Sequence, residues 1–460
     1  MATITELPPT DISRGLVQAS SIKLYQISLN NVTVELSSLG ASITKILLPN
    51  YANPDLPRDD VVLSYANPQH QDEHRNPQFF GGIVGRVANR IKGGQFQLLQ
   101  TLPSGDGVVD VMETYHLDKN NGPNHLHGGI DGFCHRVWKG EIIGDNAVKF
   151  SLLSPDGDQG YPAGIHVAAI YSIQLSDGDI NTKGVSICLN MQANLIPGEA
   201  KATPVGLAQH SYFNLASHNS KERILYNSLK MPNCKKITPL DITSIPTRKL
   251  QPVEHNNDQA MDFRDEKLLA DAMVQYGREK VGLTSENAAQ KTSCILFTSN
   301  NDSEGVVEVA RVPEDGGAAG ENLTGSSPYG FDHNYVIDKI GKASADKRNN
   351  LQIAAILSHK ATGRLLCVST NAPGIQIYTS NCLDGTNPPP ALCKDGSRYD
   401  QWQGICLETQ SYPDSIYPIG VSEACLEDEF SEGRCFILKP GGENYSHVLR
   451  YDFGSIDEQG

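Results

Sequence analysis

A chain of 460 residues can bury a large core, either as several domains or as one oversized β architecture. Its net charge of −15 and pI near 5.3 argue against nucleic acid or an anionic membrane as the main partner, and they disfavour a strongly anionic substrate. No apolar run approaches the length of a membrane span, so no membrane partner is expected.

The opening segment, MATITELPPTDISRGLV, has no basic stretch followed by an apolar one, and no signal peptide is expected. Short β-type runs then recur along the chain: KLYQISL, VTVELS, VKFSLLS, VSICLNMQANL, RLLCVST, GIQIYTS, RCFILKP and HVLRYDF. Turn residues separate them, drawn from 42 Gly and 26 Pro with Asn and Asp. That pattern predicts a mainly β fold, an antiparallel sandwich or barrel. One helix is expected, over 265–281, with acids at its start and basic residues near its end. The stretch 299–330 reads as a loop rich in Gly, Ser, Asn and acids. Ten cysteines show no C-x-x-C pair and read as free thiols in a reducing compartment, which suggests a cytoplasmic protein.

Several segments carry polar residues that could do chemistry. GGIVGRVANRIKGGQF (81–96) sets Arg86, Asn89 and Arg90 among glycines, but it lacks the G-K-[ST] of a phosphate loop. GPNHLHGGIDGFCHRVWKG (122–140) holds His125, His127 and His135. It offers no cysteine or carboxylate at ligand spacing, so hydrogen-bonding histidines are expected there and no metal. TPVGLAQHSYFNLA (203–216) alternates like a strand, with an apolar odd face and with His210 on the even face beside Gly206 and Ala208. The small pair is expected to clear space for a ligand. In YGFDHNYVI, Asp332 and Asn334 share a face; in PGIQIYTSN, Gln376 and Tyr378 oppose two isoleucines. In GICLETQSYPDS, Glu408 points away from Ile405 and Leu407. Polar faces of antiparallel sheets usually meet bulk water. Four such strands beside small residues instead suggest a concave ligand-binding face. His210 and Glu408 in one cleft would form an acid–base pair. Glu408 with Asp332 would alternatively resemble the carboxylate pair of a glycoside hydrolase.

Seven segments in order resemble the aldose 1-epimerase (galactose mutarotase) family: GRVANRI, NHLHGGIDGFCHRVW, SPDGDQGYP, TPVGLAQHSYFNL, FDHNY, TGRLLCVSTNAPGIQIYTSN and LETQSYPDS. The resemblance implies a large antiparallel β-sandwich, the galactose mutarotase-like supersandwich, spanning 15–455 with a surface insertion at 265–330. It implies interconversion of the α and β anomers of free aldohexoses, without cofactor. A monomer is expected. Residue by residue, Glu408 matches the family's general base and His210 its general acid. His127, Asn89, Arg90, Asp332 and Gln376 match positions that hold the sugar. Gln209 departs from the family, which often has Asn there, and the gap between MDFR and FDHNY is unusually long. A non-catalytic sugar sensor on the same fold would not need both Glu408 and His210. A hexose-phosphate mutarotase would need a basic rim, and Arg86 and Lys92 near the site segment form no clear cluster.

Overall fold

The strand Ile165–Leu175 buries Ile165, Val167, Ala169, Tyr171 and Ile173 and leaves the residues between them partly or fully open. That period of two is what a sheet with one dry face requires. The same logic builds a computed structural model that describes residues 1–7, 22–104, 107–176, 184–254, 259–280, 330–338, 351–416 and 429–456.

Three antiparallel sheets dominate. The largest has nine strands, running from Lys139–Ile143 through Ile165–Leu175, Val185–Leu195, Tyr445–Ser455 and Arg364–Thr370 to Lys267–Leu268 at its far edge. A six-stranded sheet carries, in spatial order, Tyr212–Phe213, Ile405–Gln410, Gly374–Tyr378 and Asp332–Val336, then two short strands. A five-stranded meander runs from Thr3–Leu7 to Asp59–Asp60. One hydrophobic cluster joins all three: Val34 and Ile43 from the meander, Val167 and Leu449 from the nine-stranded sheet, and Ile377 and Leu407 from the six-stranded one. The fold is therefore an antiparallel β-sandwich. Each of the eight strand runs read from the sequence falls on a strand. Among the described residues, no helix is long and apolar enough to cross a membrane.

Two local expectations change. The run 203–216 is not one strand but three short ones, Thr203–Val205, Ala208–Gln209 and Tyr212–Phe213. They pair with three different partners: Phe436–Leu438, Ile83–Val84 and Ile405–Gln410. Both of its faces are therefore buried, and the alternation reports two dry environments instead of one wet face. The expected helix is present as Leu269–Lys280. Its residues Leu269, Ala272, Met273 and Tyr276 join the main core, because their spacing forms one inward stripe. The expected surface insertion thus begins inside the core, while 281–329 lies outside the described residues.

Arg86 is 1% exposed and supports no ligand rim. Its guanidinium donates to the carbonyls of Pro162 and Ala163 at 2.8 Å each, to Thr203 Oγ1 at 3.1 Å and to Ser154 Oγ at 2.5 Å. It fastens the SPDGDQGYP loop to the segment carrying Asn89 and Arg90. Burial lowers its pKa to about 10. Lysine keeps the charge but cannot reach these acceptors as a planar fork. Arg86→Lys is expected to cost about 1–3 kcal/mol in urea unfolding, the usual penalty for leaving buried acceptors unpaired. Unchanged stability would show that the fork is dispensable.

Candidate active site

Antiparallel register decides what faces the cleft. Gln376 pairs directly with Glu408 on one side and with Asn334 on the other. In the adjoining row, Tyr378 lies between Asp332 and Cys406, and Cys406 pairs in turn with Tyr212. Directly paired residues share a face, so both rows look the same way. Ile377 and Leu407 take the opposite face and enter the core.

Above this face lies a cavity of about 520 Å³. Asn89, Arg90, His127, His210, Asp332, Gln376 and Glu408, which come from six separate segments, all line it. His210 Nε2 stands 3.5 Å from Glu408 Oε1, and both side chains are buried. Gln376 Nε2 donates to Asp332 Oδ1 at 2.6 Å, and Asn89 Nδ2 lies 3.4 Å from Gln376 Oε1. Arg90 Nε donates to Asn121 Oδ1 at 3.0 Å. The second carboxylate oxygen of Glu408 is buried with no hydrogen-bond partner in the protein.

The loops that complete the cavity hold unusual backbone. Phe79, Asn89 and His127 have φ of +60°, +61° and +51°, a left-handed region that non-glycine residues seldom occupy. The Asn89 and His127 loops are clamped to each other: His127 N donates to Asn89 O, and Asn89 N donates to His127 Nδ1. Gly128 is required beside them, since a Cβ there would stand 1.7 Å from the Gly85 carbonyl oxygen. Phe79 packs against His127 and His210 with ring centroids 4.7 and 5.5 Å apart, and Tyr212 stacks on His210 at 5.2 Å.

Burial sets the ionisation. It drives His210 down to about 4 and His127 well below its ordinary value. It pushes Glu408 well up; nearby Asp332 adds to the rise, and Arg90 opposes it. A contact of 3.5 Å is too long for a well-formed hydrogen bond, so pairing does not override desolvation.

His127, His210 and Glu408 bring donor atoms within 4.8 Å of one another, close enough to raise the question of a metal. The His127 tautomer answers it. Its Nδ1 accepts from a backbone N–H, so in the neutral ring Nε2 carries the hydrogen and has no lone pair for an ion. His127, which lines the cavity, therefore offers an N–H donor at Nε2.

Gly206 and Ala208 do not line the cavity, contrary to expectation. Gly206 sits near Cys435 and Val87, and Ala208 packs with Val84 and Cys134. Tyr378 lines it as well, and so do Phe79, Tyr212 and the 242–244 strip, which were not singled out by sequence. Alternation already placed the two tyrosines on the polar faces. Nothing in the sequence marked Phe79 or 242–244.

The β-sandwich thus carries a buried histidine–carboxylate pair on the wall of a polar cavity, an arrangement suited to acid–base chemistry. The family model described as aldose 1-epimerase matches residues 23–451. Galactose mutarotase of Rattus norvegicus is 30% identical over 433 residues, 94% of each chain. Galactose mutarotase of Sus scrofa is 30% identical over 454 residues, 98% of this chain and 99% of that one. The fold also resembles two solved structures. A GalM/aldose epimerase homologue from C. elegans has a TM-score of 0.62 at 20% identity, covering 93% of this chain and 97% of that one. Galactose 1-epimerase from Lactobacillus acidophilus has a TM-score of 0.61 at 21% identity, covering 99% of both chains. The chain belongs to the aldose 1-epimerase family, a family of isomerases.

The donor set predicts indifference to metals. Exhaustive chelation should leave turnover unchanged. Loss of activity on chelation, with recovery on adding zinc, would contradict the tautomer assigned to His127.

Proposed function

We propose that this protein is an aldose 1-epimerase that interconverts the α and β anomers of a neutral aldohexose, with His210 and Glu408 as its acid–base pair. The observation that carries the reading is the 3.5 Å contact between these two buried groups on the wall of a cavity lined by Asn89, Arg90, His127, Asp332 and Gln376.

The mechanism needs one exchangeable proton on the pair. In the empty pocket, burial leaves it on Glu408. An entering sugar brings hydroxyls that solvate the carboxylate, and the proton passes to His210 Nε2. Glu408 then takes the proton of the anomeric hydroxyl as His210 gives its proton to the ring oxygen. The C1–O5 bond opens to an aldehyde, the C1 end turns, and O5 closes on the other face. Closure returns the proton from O5 to His210 and the proton from Glu408 to the new anomeric oxygen. No electrons are gained or lost overall, so the reaction needs no redox partner.

Asp332 and Gln376 form a ready-made acceptor–donor pair for sugar hydroxyls, and the His127 N–H adds a donor. Among the described lining residues, Arg90 is the single guanidinium or ammonium, and it faces two carboxylates. That balance supports a neutral sugar over a hexose phosphate. A sensor would gain nothing from burying an acid–base pair at such cost to its charged forms. Cys134, Cys234, Cys393, Cys406 and Cys435 are buried free thiols, which supports a reducing compartment such as the cytoplasm.

Polarimetry of freshly dissolved α-D-glucose and α-D-galactose tests the activity directly. Glu408→Gln and His210→Asn should each lower kcat by about 10²-fold or more, with smaller effects on KM. Asp332→Ala should weaken sugar affinity, because charged hydrogen bonds are worth about 1.5–3 kcal/mol each. A folded Glu408→Gln protein with near wild-type mutarotation would overturn the mechanism.

The pH profile of kcat/KM for the free enzyme should be a bell whose limbs are macroscopic properties of the pair. Activity falls on the acid side near pH 4, where His210 gains a proton while Glu408 is still protonated. It falls on the alkaline side where Glu408, raised by burial, loses the shared proton. Sequence alone suggests the opposite assignment, with Glu408 on the acid limb and His210 on the alkaline one. Burial inverts it. An alkaline limb that persists unchanged in a residually active Glu408→Gln enzyme would contradict this order.

A further inference from the structure

His210 has two ring nitrogens, and the mechanism uses only Nε2. The other, Nδ1, lies 3.7 Å from the sulfur of Cys406, within hydrogen-bonding range for so large an atom. Cys406 sits on the strand Ile405–Gln410, two residues before Glu408 and on the same face. It is fully buried, and its direct cross-strand partner is Tyr212, whose ring stacks on His210. The titratable groups around the imidazole are therefore Glu408 and Cys406 from one strand, Tyr212 from the next, and His127 with its ring centroid 5.2 Å away.

We propose that Cys406 is a positioning residue that holds the hydrogen of His210 on Nδ1, so that Nε2 is the nitrogen that exchanges a proton with Glu408 and the sugar. The proposal rests on the acid–base reading of the pair. If Nδ1–H donates to sulfur, the neutral ring presents its lone pair at Nε2 toward Glu408, ready to accept the shared proton. When Nε2 is protonated, the Nδ1–H donor remains in place and the ring does not turn. Sulfur is a weak acceptor. A carboxylate at this position would stabilise the imidazolium and make it a poor acid. The thiol orients the ring without that penalty. Burial and nearby Glu408 keep the thiol well above its ordinary pKa, so it stays an uncharged S–H and does not act as an anion beside the ring.

Three substitutions separate this role from simple packing. Cys406→Ser keeps a hydrogen-bonding group on the same carbon, on a shorter bond that the ring must move slightly to meet. Cys406→Ala removes it. Cys406→Asp supplies a strong acceptor. The ¹⁵N resonances of the His210 ring, assigned by comparison with His210→Asn, report the tautomer in the sugar-free protein. Wild type and Cys406→Ser should show Nδ1–H near neutral pH, and Cys406→Ala should show a mixture or Nε2–H. Turnover should follow: kcat should fall about tenfold in Cys406→Ala with KM little changed, and most of it should return in Cys406→Ser. If Cys406→Asp folds, the acid limb of its pH profile should rise by about 1–3 units. Dominant Nε2–H in the wild-type spectrum would overturn the proposal, as would Cys406→Ala with unaltered tautomer and kcat. The tautomer is read without substrate. It therefore stands or falls separately from the acid–base mechanism, which Glu408→Gln tests.

Discussion

The register between Gly374–Tyr378 and Ile405–Gln410 decides which side chains face the cavity. A slip of one residue would exchange the two faces of a strand. It would put Glu408 into the apolar layer and Leu407 into the cavity. The register is held because Ile375, Ile377, Ile405 and Leu407 are needed in the core on the other side. Hydrophobic burial thus fixes the polar face indirectly, by leaving it no alternative. Asp332, Gln376 and Glu408 are placed by the same constraint that stabilises the sandwich.

Against that rigid floor, the remaining wall is made of loops that need more explicit support. Arg86 secures one of them through carbonyl and hydroxyl acceptors. Gln209, next to His210, secures another: its amide donates to the Gly81 carbonyl and to Ser211, and its oxygen accepts from Ser211 N and Tyr451. The departure from the family's frequent Asn at this position lies beneath the cavity wall and does not line it. Buried polar side chains here do two distinct jobs. Arg86 and Gln209 satisfy backbone groups and hold shape. Glu408 keeps one buried carboxylate oxygen without a partner in the protein, which suits the reactive role proposed for it.

Much of this was legible in the sequence, because strands announce themselves by alternation and the strands carry the floor of the site. The polar faces of YGFDHNYVI, PGIQIYTSN and GICLETQSYPDS were readable from period two alone. The run around His210 misled, since three short strands buried on both sides still alternate in hydrophobicity. The space attributed to Gly206 and Ala208 therefore proved to be packing against Val87, Val84 and Cys134. Phe79 and the 242–244 strip reach the cavity through loop geometry, which no periodicity encodes. The order of the two pKa values was likewise hidden, because desolvation depends on what surrounds a group in space and not on its neighbours along the chain.

The left-handed backbone at Phe79, Asn89 and His127 has a consequence for how this protein can change. A replacement at any of the three is felt twice, once in what touches the ligand and once in backbone strain, which costs of order 1–3 kcal/mol where the conformation is poorly tolerated. Gln78, Ile242 and Thr243 line the same cavity without positive φ. Evolvability is therefore uneven around the pocket. The inner wall is nearly frozen, and drift toward a different sugar has its open route along the rim.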